Sequence, residues 1–192
     1  MNIILPEELV KLDRLPEDPE GMDMYGLQGP EAAGIVKVWT ENQCGEIFDR
    51  DSIIQGIRSC MEKNQGLIEV EKGNTGKGLP FYYSLLKNGL EPSGVAYILF
   101  LRIHDGDTDY LVQSQFDEIG MTGARDAAVF AYARKEGMVG ENLEGWAKDP
   151  YDENVTEGML MNLSEQRAID EAFPNHPLSV IRQLSDFIID NN

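Results

Sequence analysis

The apolar positions of this chain change their spacing several times, and each change predicts a new element of secondary structure. Over residues 34–40, one set of side chains (Ile35, Lys37 and Trp39) alternates with another (Val36, Val38 and Thr40), which predicts a strand with one wetter face. Residues 51–63 instead repeat at helical spacing, and Asp49 or Asp51 suits the N-cap of that helix. Strand-like patterns then follow one another with no helix between them. These strands are predicted over residues 66–72, 79–87, 94–104 and 108–117.

The strand predicted over residues 94–104 is apolar on both faces between Val95 and Leu101. A strand of this kind lies inside a sheet, with each face covered by its own chain or one face covered partly by a subunit partner. The Asp105-Gly106 pair that follows supplies the positive φ values of a tight turn. The strands over 94–104 and 108–117 are therefore expected to form a hairpin.

Helices dominate the C-terminal part of the sequence. Thr122 is the expected N-cap of a helix over residues 123–136, and a shorter helix is expected over 165–172. The last helix is predicted over 178–189. Its stripe of apolar side chains consists of Leu178, Ile181, Leu184 and Ile188.

Two stretches lack a clear period. Residues 140–160 are rich in Gly, Asp and Pro, so we expect a long loop there. At the N-terminus, residues 6–14 predict a short helix, whereas Pro and Gly interrupt residues 15–30. We therefore expect residues 1–30 to be a loosely structured N-terminal arm on a single domain that spans residues 1–192.

The predicted elements place a run of neighbouring strands between helices, without βαβ alternation. That order is typical of an α+β fold with a predominantly antiparallel sheet covered by helices, and not of a nucleotide-binding parallel sheet. Hydrophobic residues make up 42% of the 192 residues, which is enough for a sizeable core.

The net charge of the chain indicates which kinds of partner it attracts and which it repels. Asp and Glu outnumber Lys and Arg by 34 to 16, so the formal net charge is −18. Such a surface repels nucleic acid and anionic membranes and attracts basic proteins. No apolar run approaches the roughly 18 residues of a membrane span. The two cysteines, Cys44 and Cys60, fit a reducing compartment, so we expect a cytoplasmic protein.

Two turns carry residues that can bind ions. In Gly73–Gly78, glycine amides and Lys77 can surround a phosphate, but the spacing differs from that of a phosphate-binding loop, which favours a flexible hairpin turn. Asp105, Asp107 and Asp109 place alternate carboxylates around a hairpin tip, and such carboxylates can gather around calcium. The complete calcium-binding loop is absent, which favours a solvated tip. No cofactor is expected.

Polar residues at the ends of predicted elements form the main candidate site. Asp117 and Glu118 end a strand, and Arg125 follows at a helix start. Strand ends and helix starts commonly frame binding sites, although an ion pair that ties the helix to the sheet is the simpler interpretation. His176 precedes the last helix and can cap it.

Two aromatic residues stand out because they lie in the polar loop over residues 140–160. Trp146 and Tyr151 either pin this loop to the body of the protein or present an aromatic contact to a partner. The candidate partner-binding residues are thus Trp146, Tyr151, Asp117, Glu118, Arg125 and His176.

One strand, an amphipathic helix, an antiparallel meander and a closing helix over residues 34–190 resemble the Mog1/PsbP-like architecture, a two- or three-layer sandwich. Members of that class are mainly binding proteins, so the resemblance implies a non-catalytic accessory role. Residues 118–190 are also similar to uncharacterised cytosolic proteins of Gram-positive bacteria. The segments behind this second similarity are Gly120–Asp126, Trp146 with Asp149–Asp152, Met161–Glu165 and Phe173–Ser179.

The leading hypothesis is a cytosolic binding protein: a secretion chaperone, an adaptor or an immunity-type protein whose acidic surface steers a basic protein partner. The alternative is a small hydrolase-type enzyme with a site near His176, Arg125 and the loop over residues 140–160. A third hypothesis is a calcium-responsive module that uses the turn at residues 105–109. The sequence leaves the oligomeric state open.

Overall fold

A single antiparallel sheet forms the centre of the protein. The computed structural model describes residues 3–14, 18–42 and 49–192. In chain order the strands of this sheet are β1 (Val10–Leu12), β2 (Asp23–Gln28), β3 (Ala32–Asn42), β4 (Gln65–Asn74), β5 (Pro80–Gly89), β6 (Val95–Asp105) and β7 (Thr108–Glu118). Across the sheet their order is β1-β2-β3-β7-β6-β5-β4, and every neighbouring pair is antiparallel. The predicted meander and the position of β6 inside the sheet are confirmed.

Helices lie before and after the meander, as the sequence predicted. They are α1 (Arg50–Cys60), α2 (Ala124–Lys135) and α3 (Pro177–Asn191), with two short 3₁₀ helices at Leu163–Glu165 and Arg167–Ala172. A separate pair of short strands joins β8 (Ala147–Lys148), in the predicted loop, to β9 (Met161–Asn162). Within the described ranges, no helix is long and apolar enough to cross a membrane.

The helix α3 covers one face of the sheet, which we call the closed face. The apolar stripe predicted from the sequence is confirmed, because its residues are at most 4% exposed. This stripe packs on the alternate side chains of β5 and β6 that point to the same face. The sheet residues in this core include Tyr83, Leu85, Leu99 and Leu101. Each buried aliphatic side chain stabilises the fold by about 1.5–3 kcal/mol relative to its exposure to water.

The helix α1 covers only part of the opposite face, which we call the open face. Its buried residues Ile53 and Ile54 pack on side chains of β4 and β5 at one edge of the sheet. A helix is about 10 Å wide and neighbouring strands lie about 4.8 Å apart, so one helix covers about two strands. The strands beyond β5, which begin with β6, are thus left partly uncovered. Phe100 of β6 is 43% exposed. With helices on both faces, the fold has the expected α+β architecture in its three-layer form.

The N-terminal residues are more ordered than the sequence predicted. The helix expected over residues 6–14 is replaced by a turn and by β1, and β2 occupies part of the arm expected to be loosely structured. These predictions were wrong because Pro and Gly hide the short strand patterns, while the edge of β3 offers backbone hydrogen bonds that local sequence does not reveal. That residues 1–192 form a single domain stays a prediction.

One helix cap agrees with its prediction, and two other helical segments differ from theirs. Asp49 caps α1 as expected, accepting a hydrogen bond from the Ser52 amide at 3.1 Å. The N-cap of α2, however, is Gly123 and not Thr122, and Gly123 has a φ of +73°, a conformation that favours glycine. The single short helix expected over residues 165–172 is replaced by two 3₁₀ helices, Leu163–Glu165 and Arg167–Ala172, because residue 166 is extended between them.

We expect Ile181→Ala to lower the free energy of unfolding by about 2–5 kcal/mol, because it removes a fully buried side chain and leaves a cavity under α3. Urea denaturation followed by circular dichroism measures the change. Tyr132→Ala is the control, since Tyr132 is 62% exposed on α2 and its removal should change stability by no more than about 0.5 kcal/mol. Equal effects of the two substitutions would contradict the described core.

Candidate functional site

Three of the predicted partner-binding residues meet on the closed side of the sheet. Glu118 ends β7, Arg125 begins α2, and His176 is the N-cap of α3. The His176 ring lies within reach of both other side chains. Asp117 is separated from them because neighbouring residues of a strand point to opposite faces, and it lies on the open face beside Gln115.

The aromatic residues of the predicted loop lie elsewhere and hold that loop to the body of the protein. Trp146 packs edge-on against Phe130 of α2, with ring centroids 5.0 Å apart. The Tyr151 hydroxyl accepts a hydrogen bond from the Val70 amide of β4 at 2.6 Å, and the Arg50 guanidinium lies over its ring. These contacts support the pinning interpretation, and a partner contact by Trp146 or Tyr151 stays a prediction.

Both ring nitrogens of His176 are engaged. Nδ1 accepts a hydrogen bond from the Leu178 amide at 3.2 Å, so His176 caps the last helix as the sequence suggested. Nε2 lies 3.2 Å from Glu118 Oε1. Because Nδ1 accepts, the proton of the neutral ring is on Nε2, which donates to the Glu118 carboxylate. The imidazole therefore links β7 to α3 and keeps no free nitrogen for a substrate.

Hydrogen bonds from two residues hold the Glu118 carboxylate in place. It accepts a hydrogen bond from the Gly123 amide at 3.0 Å and another from His176. Burial raises the pKa of this carboxyl, but the hydrogen bonds from His176 and Gly123 and the charge of Arg125 outweigh burial, so its pKa lies below the usual value. Glu118 is therefore ionised at neutral pH.

Arg125 joins three elements and is only 1% exposed. Its Nε donates to the Ser164 carbonyl at 2.7 Å, and Nη1 donates to the Ser179 hydroxyl at 2.8 Å. Nη2 donates to Asp170 at 2.8 Å. The partner of Arg125 is thus Asp170, and not Asp117 or Glu118 as the sequence order suggested. The ion pair ties α2 to the second 3₁₀ helix and not to the sheet.

Sequence reasoning missed the wider charge network to which Arg125 belongs. Arg182 of α3 lies between Asp170 and Glu69 of β4, at 3.2 Å and 2.9 Å. Lys87 of β5 forms a second buried pair with Glu165, at 2.7 Å. One signal was available, because Arg182 lies one helical turn after Leu178, on the stripe that the apolar pattern assigns to the core.

In both turns considered for ion binding, some of the groups that could contact an ion instead contact other residues of the chain. Asp109 is 3% exposed, and its carboxylate contacts His104 at 3.0 Å and Arg102 at 3.4 Å. Among the described residues, no three His, Cys, Asp or Glu side chains are gathered to hold a metal ion. An ion site at Asp105, Asp107 and Asp109 stays a prediction. The described residues contain no gathered set of ligands that would support it.

The glycine turn between β4 and β5 anchors the end of α3. The Gly76 amide donates to the Ile189 carbonyl at 2.8 Å, and the Lys77 amide donates to the Asn192 carbonyl at 2.7 Å. Two amides that could surround a phosphate are therefore used within the chain, which supports the hairpin-turn interpretation of Gly73–Gly78.

A groove of about 740 Å³ lies on the open face, between α1 and the middle of the sheet. Its walls and floor are mainly apolar, and they combine the last turns of α1 with alternate residues of β5 and β6. The larger apolar residues that line this groove are Ile57, Met61, Tyr82, Leu86, Ile98 and Phe100. A shallower hollow of about 290 Å³ continues the same face over β3 and β7, and Ile35 and Asp117 line it.

No model of a known protein family and no curated protein matches this chain in sequence. Among solved structures, the Ran-binding protein Mog1p of Saccharomyces cerevisiae is similar over 67% of this chain and 76% of its own, with 9% identity and a TM-score of 0.44. A Pseudomonas aeruginosa protein of unknown function is similar over 68% of this chain and 94% of its own, with 12% identity and a TM-score of 0.40. Both solved structures are similar to this chain in fold alone. The expected similarity of residues 118–190 to Gram-positive proteins finds no support.

We expect Glu118→Gln to reduce the loss of unfolding free energy that occurs at acid pH. The folded pKa of Glu118 lies below its usual value of 4.5, so its ionisation stabilises the native state above that pH and the contribution is lost as the pH falls through the folded pKa. Urea unfolding from neutral pH to about pH 3 should therefore show a smaller acid loss for Glu118→Gln than for the wild type. Asp117→Asn, the adjacent isosteric change, should keep the wild-type profile. An unchanged acid loss in Glu118→Gln would contradict the described hydrogen bonds.

Proposed function

We propose that this protein is a non-catalytic binding protein, and that a basic amphipathic helix of a protein partner docks in the groove of the open face. The carrying observation is the exposure of Phe100, because this aromatic side chain belongs to β6, a strand inside the sheet with four strands on one side and two on the other. Apolar residues in such a strand are normally covered. Of the two alternatives left open by the sequence, coverage by the chain itself or partly by a partner, this exposure favours the second.

The dimensions of the open face favour a helix as the occupant. The helix α1 lies over β4 and β5, and the next strands across the sheet are β6, β7 and β3. Three strands span about 10–15 Å, which is close to the width of one helix. A helix beside α1 would complete the outer layer and bury Phe100 and Ile98 against its own apolar side.

The net charge favours a basic partner over a second copy of the chain. Two copies that each carry −18 repel one another, whereas a basic protein is attracted and its capture is accelerated. The same charge disfavours nucleic acid as the partner. An adaptor, a secretion chaperone and an immunity-type protein all belong to this class. We propose a cytoplasmic location, which the exposed free thiol of Cys60 supports.

The site around His176 does not favour the hydrolase alternative. A general base needs a nitrogen or oxygen free to accept the proton of its substrate. The imidazole of His176 donates from one nitrogen to Glu118 and accepts at the other from Leu178. Arg125 is fully engaged by groups of its own chain, so neither residue is available to a reacting group.

We expect Phe100→Ala to weaken partner binding by at least about tenfold, because central aromatic contacts dominate such interfaces. Pull-down from native lysate at low and moderate salt, followed by mass spectrometry, should recover a basic protein whose retention decreases with salt. Tyr132→Ala removes an exposed aromatic side chain outside the open face and should retain that protein. A partner that is retained by Phe100→Ala and released by Tyr132→Ala would contradict the proposed docking surface.

The groove contains a natural position for a cross-linker. Cys60 lines it, and Cys44→Ser leaves Cys60 as the one thiol of the chain. A benzophenone maleimide on Cys60 should form a covalent adduct with the recovered protein, and mass spectrometry of the adduct should identify a Lys- or Arg-rich helical segment. An adduct with an acidic or extended segment would overturn the choice of a basic helix while leaving the groove as the binding site.

A further inference from the structure

A smaller cleft of about 200 Å³ lies on the closed side of the sheet, where β6 and β7 meet α2 and α3. Its polar side chains come from Tyr97, Glu118, Thr122, Asp126 and His176. We propose that this cleft binds a primary ammonium group. This site is separate from the groove of the open face, so it does not depend on the proposed partner.

The cleft carries two carboxylates, Glu118 and Asp126, whose hydrogen-bond partners include no Lys or Arg among the described residues. Glu118 accepts from the Gly123 amide and from His176. Asp126 accepts from the Ser164 hydroxyl and from the Asn162 side-chain amide. Within the described ranges, neither carboxylate forms an ion pair with Lys or Arg.

The nearest basic side chains are committed to other acids. Arg125 pairs with Asp170 at 2.8 Å, and Lys87 pairs with Glu165 at 2.7 Å. The cleft therefore keeps a local negative charge in a partly desolvated position. A bound cation would be attracted more strongly there than at the surface, because screening by water is weaker.

The second observation is the hydroxyl of Tyr97. Tyr97 is 3% exposed, lines the cleft, and packs its ring edge-on against His176 at 5.4 Å. In the part of the chain that the structure describes, its hydroxyl makes no hydrogen bond. Native structures normally give the hydroxyl of a buried tyrosine a hydrogen-bond partner. A ligand that donates hydrogen bonds into the cleft would supply it.

The protonation state of Tyr97 suits such a ligand. Burial raises the pKa of the phenol well above its ordinary value, and the charges of Glu165, Asp126 and Glu118 raise it further. The hydroxyl therefore stays neutral and can accept a hydrogen bond while the two carboxylates carry the charge. Three acceptors match the three N–H donors of a primary ammonium group. A divalent metal ion prefers several gathered carboxylates, which the cleft does not provide.

The test is a titration with propylammonium chloride at constant ionic strength, followed by two-dimensional ¹H–¹⁵N NMR. The Gly123 amide donates to Glu118 and reports on the cleft. Its signal should shift and saturate. Tyr97→Phe, which keeps the ring packing, and Asp126→Asn should each weaken binding by about tenfold. Asp117→Asn removes the same charge on the open face and should change the affinity by less than about twofold.

Shifts that grow linearly without saturation, or an equal loss of affinity in Asp117→Asn and Asp126→Asn, would overturn the proposal. If Asp126→Asn disturbs the Ser164 contact, the Tyr97→Phe variant still tests the proposal.

A second experiment identifies the source of the ammonium group. Tighter binding of Nα-acetyl-lysine methylamide than of propylammonium would indicate a lysine side chain of a protein, and tighter binding of propylammonium would indicate a free small amine.

Discussion

The structure depends on one constraint: a helix covers about two strands, whereas the sheet has seven. On the closed face, α3 packs over the middle of the sheet and buries its largest apolar cluster. On the open face, α1 reaches only β4 and β5. The alternation of side chains along β6 then places Leu99 and Leu101 in the core and leaves Phe100 facing the groove. The proposed binding surface follows from this unequal coverage.

The charge network on the closed face has a different role from the apolar core. Breaking one partner of a buried pair costs about 3–5 kcal/mol, but replacing a whole pair by apolar residues is often neutral, so such pairs add little net stability. Arg125, Arg182 and Asp170 instead connect α2, the second 3₁₀ helix and α3. We interpret them as fixing the position of α3 over the sheet. In the part of the chain that the structure describes, Glu118 and Asp126 form no ion pair with Lys or Arg beside the cleft.

The sequence predicted those elements whose signal is local. The strand patterns of β3 to β7, the stripe of α3 and the cap at Asp49 each depend on neighbouring residues, and the structure confirms them. It did not predict β2, because that strand is stabilised by pairing with β3. Of the candidate site, it predicted the proximity of Glu118 to a helix start and the capping role of His176. It could not predict the pairing of Arg125 with Asp170, 45 residues later, since only the packed fold brings them together.

The central claim is that the partner covers the open face, and hydroxyl-radical footprinting with and without the captured partner tests it most directly. This method reports on side chains, so it distinguishes the two faces of one strand. The account predicts that Phe100, Tyr82 and Met61 lose reactivity in the complex, while the exposed Met121 and Tyr132 keep theirs. Protection of Met121 and Tyr132 with unchanged reactivity of Phe100 would contradict it.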